Sequence, residues 1–142
     1  MDDMDRQDWV LLALSFGGAK GLSPVQLQKS LFLLGKEIPE VTNFYQFYAH
    51  NYGPFCKDIY TDAEHMAEAG LVAIERPRAY STFLITPAGQ ARINGVRAEI
   101  PNRAFTYLQD AVAWTQKQSF SGLVRAIYDK YPEYRVNSVF QY

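Results

Sequence analysis

Two histidines and a single cysteine are all that the 142-residue chain offers of the residue types most often used for nucleophilic catalysis and metal binding. The lone Cys56 forms no internal disulfide, which agrees with a reducing compartment. No segment reaches the roughly 18 consecutive apolar residues of a membrane span. The first apolar run, Trp9 to Leu14, follows the acidic Asp2, Asp3, Asp5 and Asp8 rather than the basic flank of a secretory leader. A cytoplasmic protein with no membrane partner is therefore expected. The sequence has no Walker-type or GxGxxG loop, and Gly17-Gly18 and Gly21 read as helix-ending and turn glycines. No cofactor and no small-molecule substrate are expected.

The same scarcity bears on catalysis. Cys56 with His50 or His65 is the only thiol pairing available. Its place at a predicted helix start would lower a thiol pKa, but no glycine-rich elbow or oxyanion motif accompanies it. These three residues also lack the fourth ligand and the C-x-x-C spacing of a structural zinc site. Asp58, Asp62 and Glu68 recur at helical spacing, the usual mark of a solvated helix face. The expectation is a protein that is not an enzyme and holds no metal.

What the chain does have is apolar and aromatic surface: 48% of residues are hydrophobic and 15% aromatic. A chain of this length buries roughly 68–70% of its unfolded surface, enough for one domain over residues 1–142. A helix is predicted from Asp5 to Phe16 by the stripe Trp9, Leu12, Ala13 and Phe16. Ser23-Pro24 opens a second, lined by Leu27, Leu31, Leu34 and Ile38 and limited by Pro39. Asn43 to His50 reads as an extended segment or short strand. A third helix is predicted from Phe55 to Ala69, with Phe55, Ile59, Ala63, Met66 and Ala67 inward and Gly70 as its stop. Leu71–Glu75 and Tyr80–Thr86 read as strands of a hairpin joined by Arg76-Pro77-Arg78-Ala79. Thr86-Pro87 opens a helix to about Arg97, another runs from about Arg103 to Lys117, and a last uses Phe120, Leu123, Val124, Ile127, Tyr128 and Tyr131.

Three helices and a hairpin are the element order of a winged helix, a helix-turn-helix with a two-stranded β wing. The expected fold is thus α+β and mostly helical: a winged-helix core over about residues 5–90 with a C-terminal helical extension over about 91–142. The run Ala63 to Val72, followed by Tyr80 to Thr86-Pro87-Ala88-Gly89, resembles the winged-helix signature of a helix, GL(I/V), a strand, a turn and a strand ending in (L/I)TPxG. A narrower resemblance covers about residues 22–90. Leu27-Gln28-Lys29 within the second helix, and Tyr52-Gly53-Pro54 after an aromatic segment, are similar to the "LQK" and "YGP" motifs of the SocA-like, or Panacea, family. Ser30 departs from it, standing where a second leucine is usual. The resemblance implies an antitoxin of a toxin–antitoxin system or a proteolytic adaptor, binding a toxin-like partner protein, and it gives no guidance for the C-terminal third.

Charge and aromatics separate two partner classes. Residues 1–75 carry five Lys/Arg against eleven Asp/Glu, whereas residues 76–109 carry five arginines against Glu99 alone. If the blocks occupy different faces, the molecule has an acidic and a basic side. The third helix, which would enter the major groove, carries Lys57 against Asp58, Asp62, Glu64 and Glu68, and would repel a duplex. DNA binding, the alternative function, would therefore fall to the wing, through Arg76, Arg78, Arg92 and Arg97. Protein binding accounts for more: seven aromatics lie between Phe44 and Tyr60, and one short segment that alternates faces cannot turn all of them inward. Tyr45, Tyr48 and Tyr52 are the expected aromatic anchors, with Asp58, Asp62 and Glu68 as an acidic face for a basic partner. The tail aromatics Tyr131, Tyr134, Phe140 and Tyr142 raise a homodimer mate as another occupant.

Overall fold

The computed structural model describes residues 4–76 and 81–140. Helix α1 spans Arg6–Gly17 and starts on a reciprocal cap, in which the Asp5 carboxylate accepts from the Gln7 N–H and the Asp8 carboxylate from the Asp5 N–H. The sequence stripe anticipates one buried face, but every residue from Asp8 to Leu14 is buried. An unbroken apolar run makes a helix apolar all round, and such a helix belongs in the middle of the molecule. α1 accordingly packs against the later helices on several sides and against the second hairpin.

Helix α2, Pro24–Glu37, is capped by Ser23, whose hydroxyl accepts from Gln26 N–H while Gln26 Oε1 accepts from Ser23 N–H. Leu27, Leu31, Leu34 and Ile38 are buried as the spacing requires. Between α1 and α2 the chain passes Leu22, which exchanges both backbone hydrogen bonds with Phe83 at 2.9 and 2.8 Å.

The next stretch departs from expectation. The short strand is present, but instead of leading directly into a helix at Phe55, β1 (Tyr48–His50) pairs antiparallel with β2 (Gly53–Phe55), Tyr48 opposite Phe55 and His50 opposite Gly53. Helix α3 begins later and spans Lys57–Glu68. The cause is Gln28: its side-chain amide donates to the Cys56 carbonyl at 2.8 Å and accepts from the Cys56 N–H at 2.9 Å. Both backbone groups are thereby taken, and Cys56 stays extended (φ −135°, ψ 112°).

β3 (Val72–Glu75) and β4 (Thr82–Ile85) form the expected hairpin, Val72 opposite Ile85 and Glu75 opposite Thr82. Pro77, Arg78 and Ala79 of the expected connection, and Tyr80 of the expected second strand, lie outside the described residues. The resemblance between Gly70-Leu71 and Thr86-Pro-Ala-Gly89 has a physical basis. Thr86 donates its hydroxyl to the Gly70 carbonyl at 2.6 Å, accepts from Gly89 N–H, and donates its own N–H to the Leu71 carbonyl. A Cβ on Gly89 would stand 2.2 Å from that Leu71 oxygen, so the close approach requires glycine. Helices α4 (Pro87–Val96), α5 (Asn102–Lys117) and α6 (Phe120–Lys130) complete the described fold, which is α+β and mostly helical. α5 lies on α1 and α2, and a smaller cluster of Phe32, Leu33, Leu123, Ile127 and Tyr131 joins α2 to α6. Phe120 departs from its stripe: it is solvent-exposed.

The charge segregation does not yield two faces. Arg92 pairs with the buried Asp8 at 2.9 Å, Arg76 with Glu64 at 2.6 Å and Arg103 with Glu40 at 3.1 Å. The basic block thus closes onto the acidic first half of the chain, and the asymmetry in sequence becomes interlocking in space.

Candidate functional site

Not all the residues singled out in the sequence reach a surface. Tyr45 and Asp62 are buried, and they form an internal network: the Tyr45 hydroxyl donates to Asp62 Oδ2 at 2.6 Å, and Arg6 Nε donates to the same oxygen at 2.9 Å. Burial and this bond hold the Tyr45 phenol far above its ordinary pKa, and the same carboxylate raises that of Arg6. The expectation that these two contact a partner is corrected here, because α3 turns Asp62 toward α1 rather than outward. Asp58 is exposed and reaches Arg6 at 3.5 Å, and Glu68 is exposed further along α3.

The arginines of the alternative reading are committed to the fold. Arg76 meets Glu64 and Ser81, Arg92 clasps Asp8, and Arg97 binds the Ile100 carbonyl and Asn102 while its guanidinium lies 3.8 Å from the Phe105 ring centroid. Arg78 lies outside the described residues. The three that are described form no common patch of unpaired charge.

Tyr48 and Tyr52 do face solvent, at 49% and 44% exposure, and α6 brings Phe120 beside Tyr52 at 46%. The ring contacts fall into two sets. Tyr48 meets Phe55 edge-on at 5.8 Å, His50 stacks on Phe55 at 4.9 Å, Phe55 meets Tyr60 at 5.5 Å, and Tyr52 meets Phe120 at 5.2 Å. The C-terminal segment straps this hairpin: Val139 N–H and the Ser138 hydroxyl donate to the Asn51 carbonyl, Asn137 donates to the Ala49 carbonyl, and Phe140 lies against Phe120. The other aromatics of the segment pack inward, Phe44 on Trp9 and Phe47 on Phe32. Of the tail residues, Tyr131 is buried, Tyr134 packs on Phe32, and Tyr142 lies outside the described residues.

Beneath the exposed rings is a cleft of about 300 Å³, walled by Val25, Tyr52, Phe55, Tyr60 and Phe120, with Lys29 and Gln28 of α2 among its lining. It adjoins a second cleft of about 580 Å³ that shares Pro24, Val25 and Phe120. Lys29 is buried and donates to the Pro54 carbonyl at 3.0 Å. Burial alone lowers its ammonium to a pKa of about 8. Gln28 and Lys29 thus tie α2 to the Tyr52–Cys56 segment, and the two short motifs noted in the sequence are one structural clasp. Neither residue was expected to line a site. The available signal was three adjacent polar residues, Gln28, Lys29 and Ser30, inside the run Leu27 to Leu34, every member of which is buried.

Cys56 is buried in the same clasp, His65 is exposed on α3, and His50 is engaged in the ring stack. Among the described residues no group of three or more His, Cys, Asp or Glu could hold a metal ion, and no helix is long and apolar enough to cross a membrane. No protein-family model matches the chain, and no curated protein matches it.

Proposed function

We propose that this chain is a non-enzymatic protein-binding module of winged-helix type, which masks a partner protein through the aromatic surface of the β1–β2 hairpin. The observation that carries the reading is the exposure of Tyr48, Tyr52 and Phe120, each more than two-fifths exposed: Tyr52 and Phe120 are in contact and wall one cleft with Phe55, on which Tyr48 packs. Large amphipathic rings left in water at one place are the usual anchors of an interface. Helix α3 leaves Asp58 and Glu68 exposed, which suits a basic partner. The winged-helix assignment is supported by three helices preceding the β3–β4 hairpin, with β1–β2 inserted between α2 and α3, and by the single Leu22–Phe83 bridge that ties the α1–α2 connection to that hairpin. The pairing of "LQK" with "YGP" through Gln28 and Lys29 supports the likeness to the SocA-like family, whose antitoxin or adaptor role is the form of masking we favour. Contact with DNA through the wing is the weaker reading, because the described arginines it needs are spent on Glu64, Asp8 and Asn102.

The test is a photo-crosslinking residue placed at Tyr48 or Tyr52, with Gln109 on α5 as control, followed by affinity measurement with the purified crosslinked protein. Tyr48→Ala and Tyr52→Ala are each expected to weaken that affinity by more than about 1 kcal/mol, a factor of five or more. Crosslinking no stronger than at Gln109, or affinities unchanged by both substitutions, would refute the reading. Crosslinks only between copies of this chain would replace the foreign partner with a homodimer.

A further inference from the structure

Three charged side chains are buried among the described residues: Asp8, Asp62 and Lys29. Asp8 and Asp62 each meet an arginine at 2.9 Å. Lys29 differs, since its ammonium has three N–H donors and one acceptor, the Pro54 carbonyl, with no carboxylate within ion-pair distance among the described residues. An uncompensated buried cation is costly, and this one lines a cleft rather than solid core. The aromatic walls contribute apolar contact, the volume sits at the small end of ligand sites, and a few fixed polar groups in an apolar cleft are the general form of such sites. One cation suits a single negative charge. Among the described residues the lining holds none of the forked donors that recognise phosphate.

We propose that the cleft over Lys29 binds a small monocarboxylate with a flat apolar body, its carboxylate on the Lys29 ammonium and its ring among Phe55, Tyr60 and Phe120. The site stands independently of the partner reading, because it rests on the cleft and its buried cation and not on the exposed rings as an interface. It is compatible with the expectation of no small-molecule substrate, because the ligand is held and not transformed. Proton linkage follows. A bound carboxylate favours the charged amine, so binding near pH 8.5 draws in protons, and affinity falls as the free amine loses its charge above about pH 8. The other titratable groups lining the cleft are His50, Tyr52 and Tyr60; burial pushes the Tyr60 phenol up to about 12, so it stays neutral across that window.

The test titrates the full chain with 3-phenylpropanoate and, separately, with its neutral isostere 3-phenylpropanamide, followed by amide NMR and by calorimetry in two buffers of different ionisation enthalpy. The acid is expected to bind saturably, to shift the Lys29, Gly53 and Phe120 amides, to outbind the amide by about tenfold or more, and to take up protons near pH 8.5. Lys29→Met should erase the preference for the acid. Equal binding of acid and amide, or no saturable binding by either up to about 10 mM, would overturn the proposal. The proton-uptake measurement on the unaltered chain decides the matter even if Lys29→Met fails to fold: binding of the acid with no uptake places the carboxylate elsewhere and also overturns it.

Discussion

Gln28 holds both backbone groups of Cys56, and replacing it by leucine isolates that role. Leucine fits a similar volume inside α2 but leaves the buried Cys56 N–H without its partner and the Cys56 carbonyl with only the longer bond from the Ile59 N–H at 3.3 Å. The orphaned N–H costs about 1–3 kcal/mol and the weakened carbonyl about 1 kcal/mol, while the added apolar burial returns roughly 1 kcal/mol, for a net loss of about 1–3 kcal/mol. At this chain length a kcal/mol moves Tm by about 3 °C, so Gln28→Leu should melt about 3–9 °C lower. Thermal and urea unfolding followed by circular dichroism measure the loss. Alkylation of Cys56, almost fully enclosed in the native fold, should accelerate as the clasp opens. A loss below about 0.5 kcal/mol with unchanged thiol reactivity would refute the argument. Gln28→Glu supplies a check of sign. A protonated glutamic acid can donate and accept as glutamine does, whereas the carboxylate cannot donate. Its folded-state pKa is therefore raised, and its stability relative to the native chain should be best below the unfolded value of about 4.3 and decline as pH rises through the folded one.

Other perturbations separate interior roles from surface roles. Asp62→Ala strands the Tyr45 hydroxyl and removes the bidentate partner of Arg6, and should cost about 3 kcal/mol in urea unfolding, while Tyr48→Ala stays within about 0.5 kcal/mol. Tyr131→Phe keeps the ring on Phe32 but removes the hydroxyl that, more than Lys130, holds the Glu37 carboxyl below its usual pKa. Because a lowered folded pKa stabilises above the unfolded value, the deficit of about 1 kcal/mol should be full above roughly pH 5 and fade on acidification, as read by stability against pH. Gly89→Ala forces a Cβ onto the Leu71 carbonyl and should cost more than about 3 kcal/mol, whereas Gly95→Ala on the same helix meets nothing within 4 Å and should gain about 0.5–1 kcal/mol. Parallel melts of the two variants check this.

Local signals carried the helices and the second hairpin well. Ser23-Pro24 and Thr86-Pro87 are caps whose chemistry is complete within four residues, and Gly70 at φ 80° is a stop of the same kind. The β1–β2 hairpin was illegible because its boundary is set by Gln28, twenty-eight residues away in the chain. α1 was read as amphipathic because periodicity finds the strongest stripe and cannot see that partners arrive on several sides. For the site, the exposed Tyr48 and Tyr52 followed from the crowding of aromatics, but the same argument could not single out Tyr45 as the buried one. That choice belongs to Asp62 and Arg6, on two other helices. Lys29 escaped notice for a related reason: its place in an apolar run is visible, yet only the packed hairpin shows that it lies beneath a cleft.

The central position of α1 also has a cost in time during synthesis. Its apolar run leaves the ribosome early, but the surfaces that enclose it come late: Arg92 clasps Asp8 across 84 positions, and Gln116 of α5 binds the Gly17 carbonyl across 99. At about 5–20 residues per second the wait between α1 and α5 is on the order of 5–20 s. Through that interval Trp9 to Leu14 form a helix with no side fit for water, so the nascent chain should be a client of ribosome-associated chaperones, and folding should complete only after most of α5 has emerged.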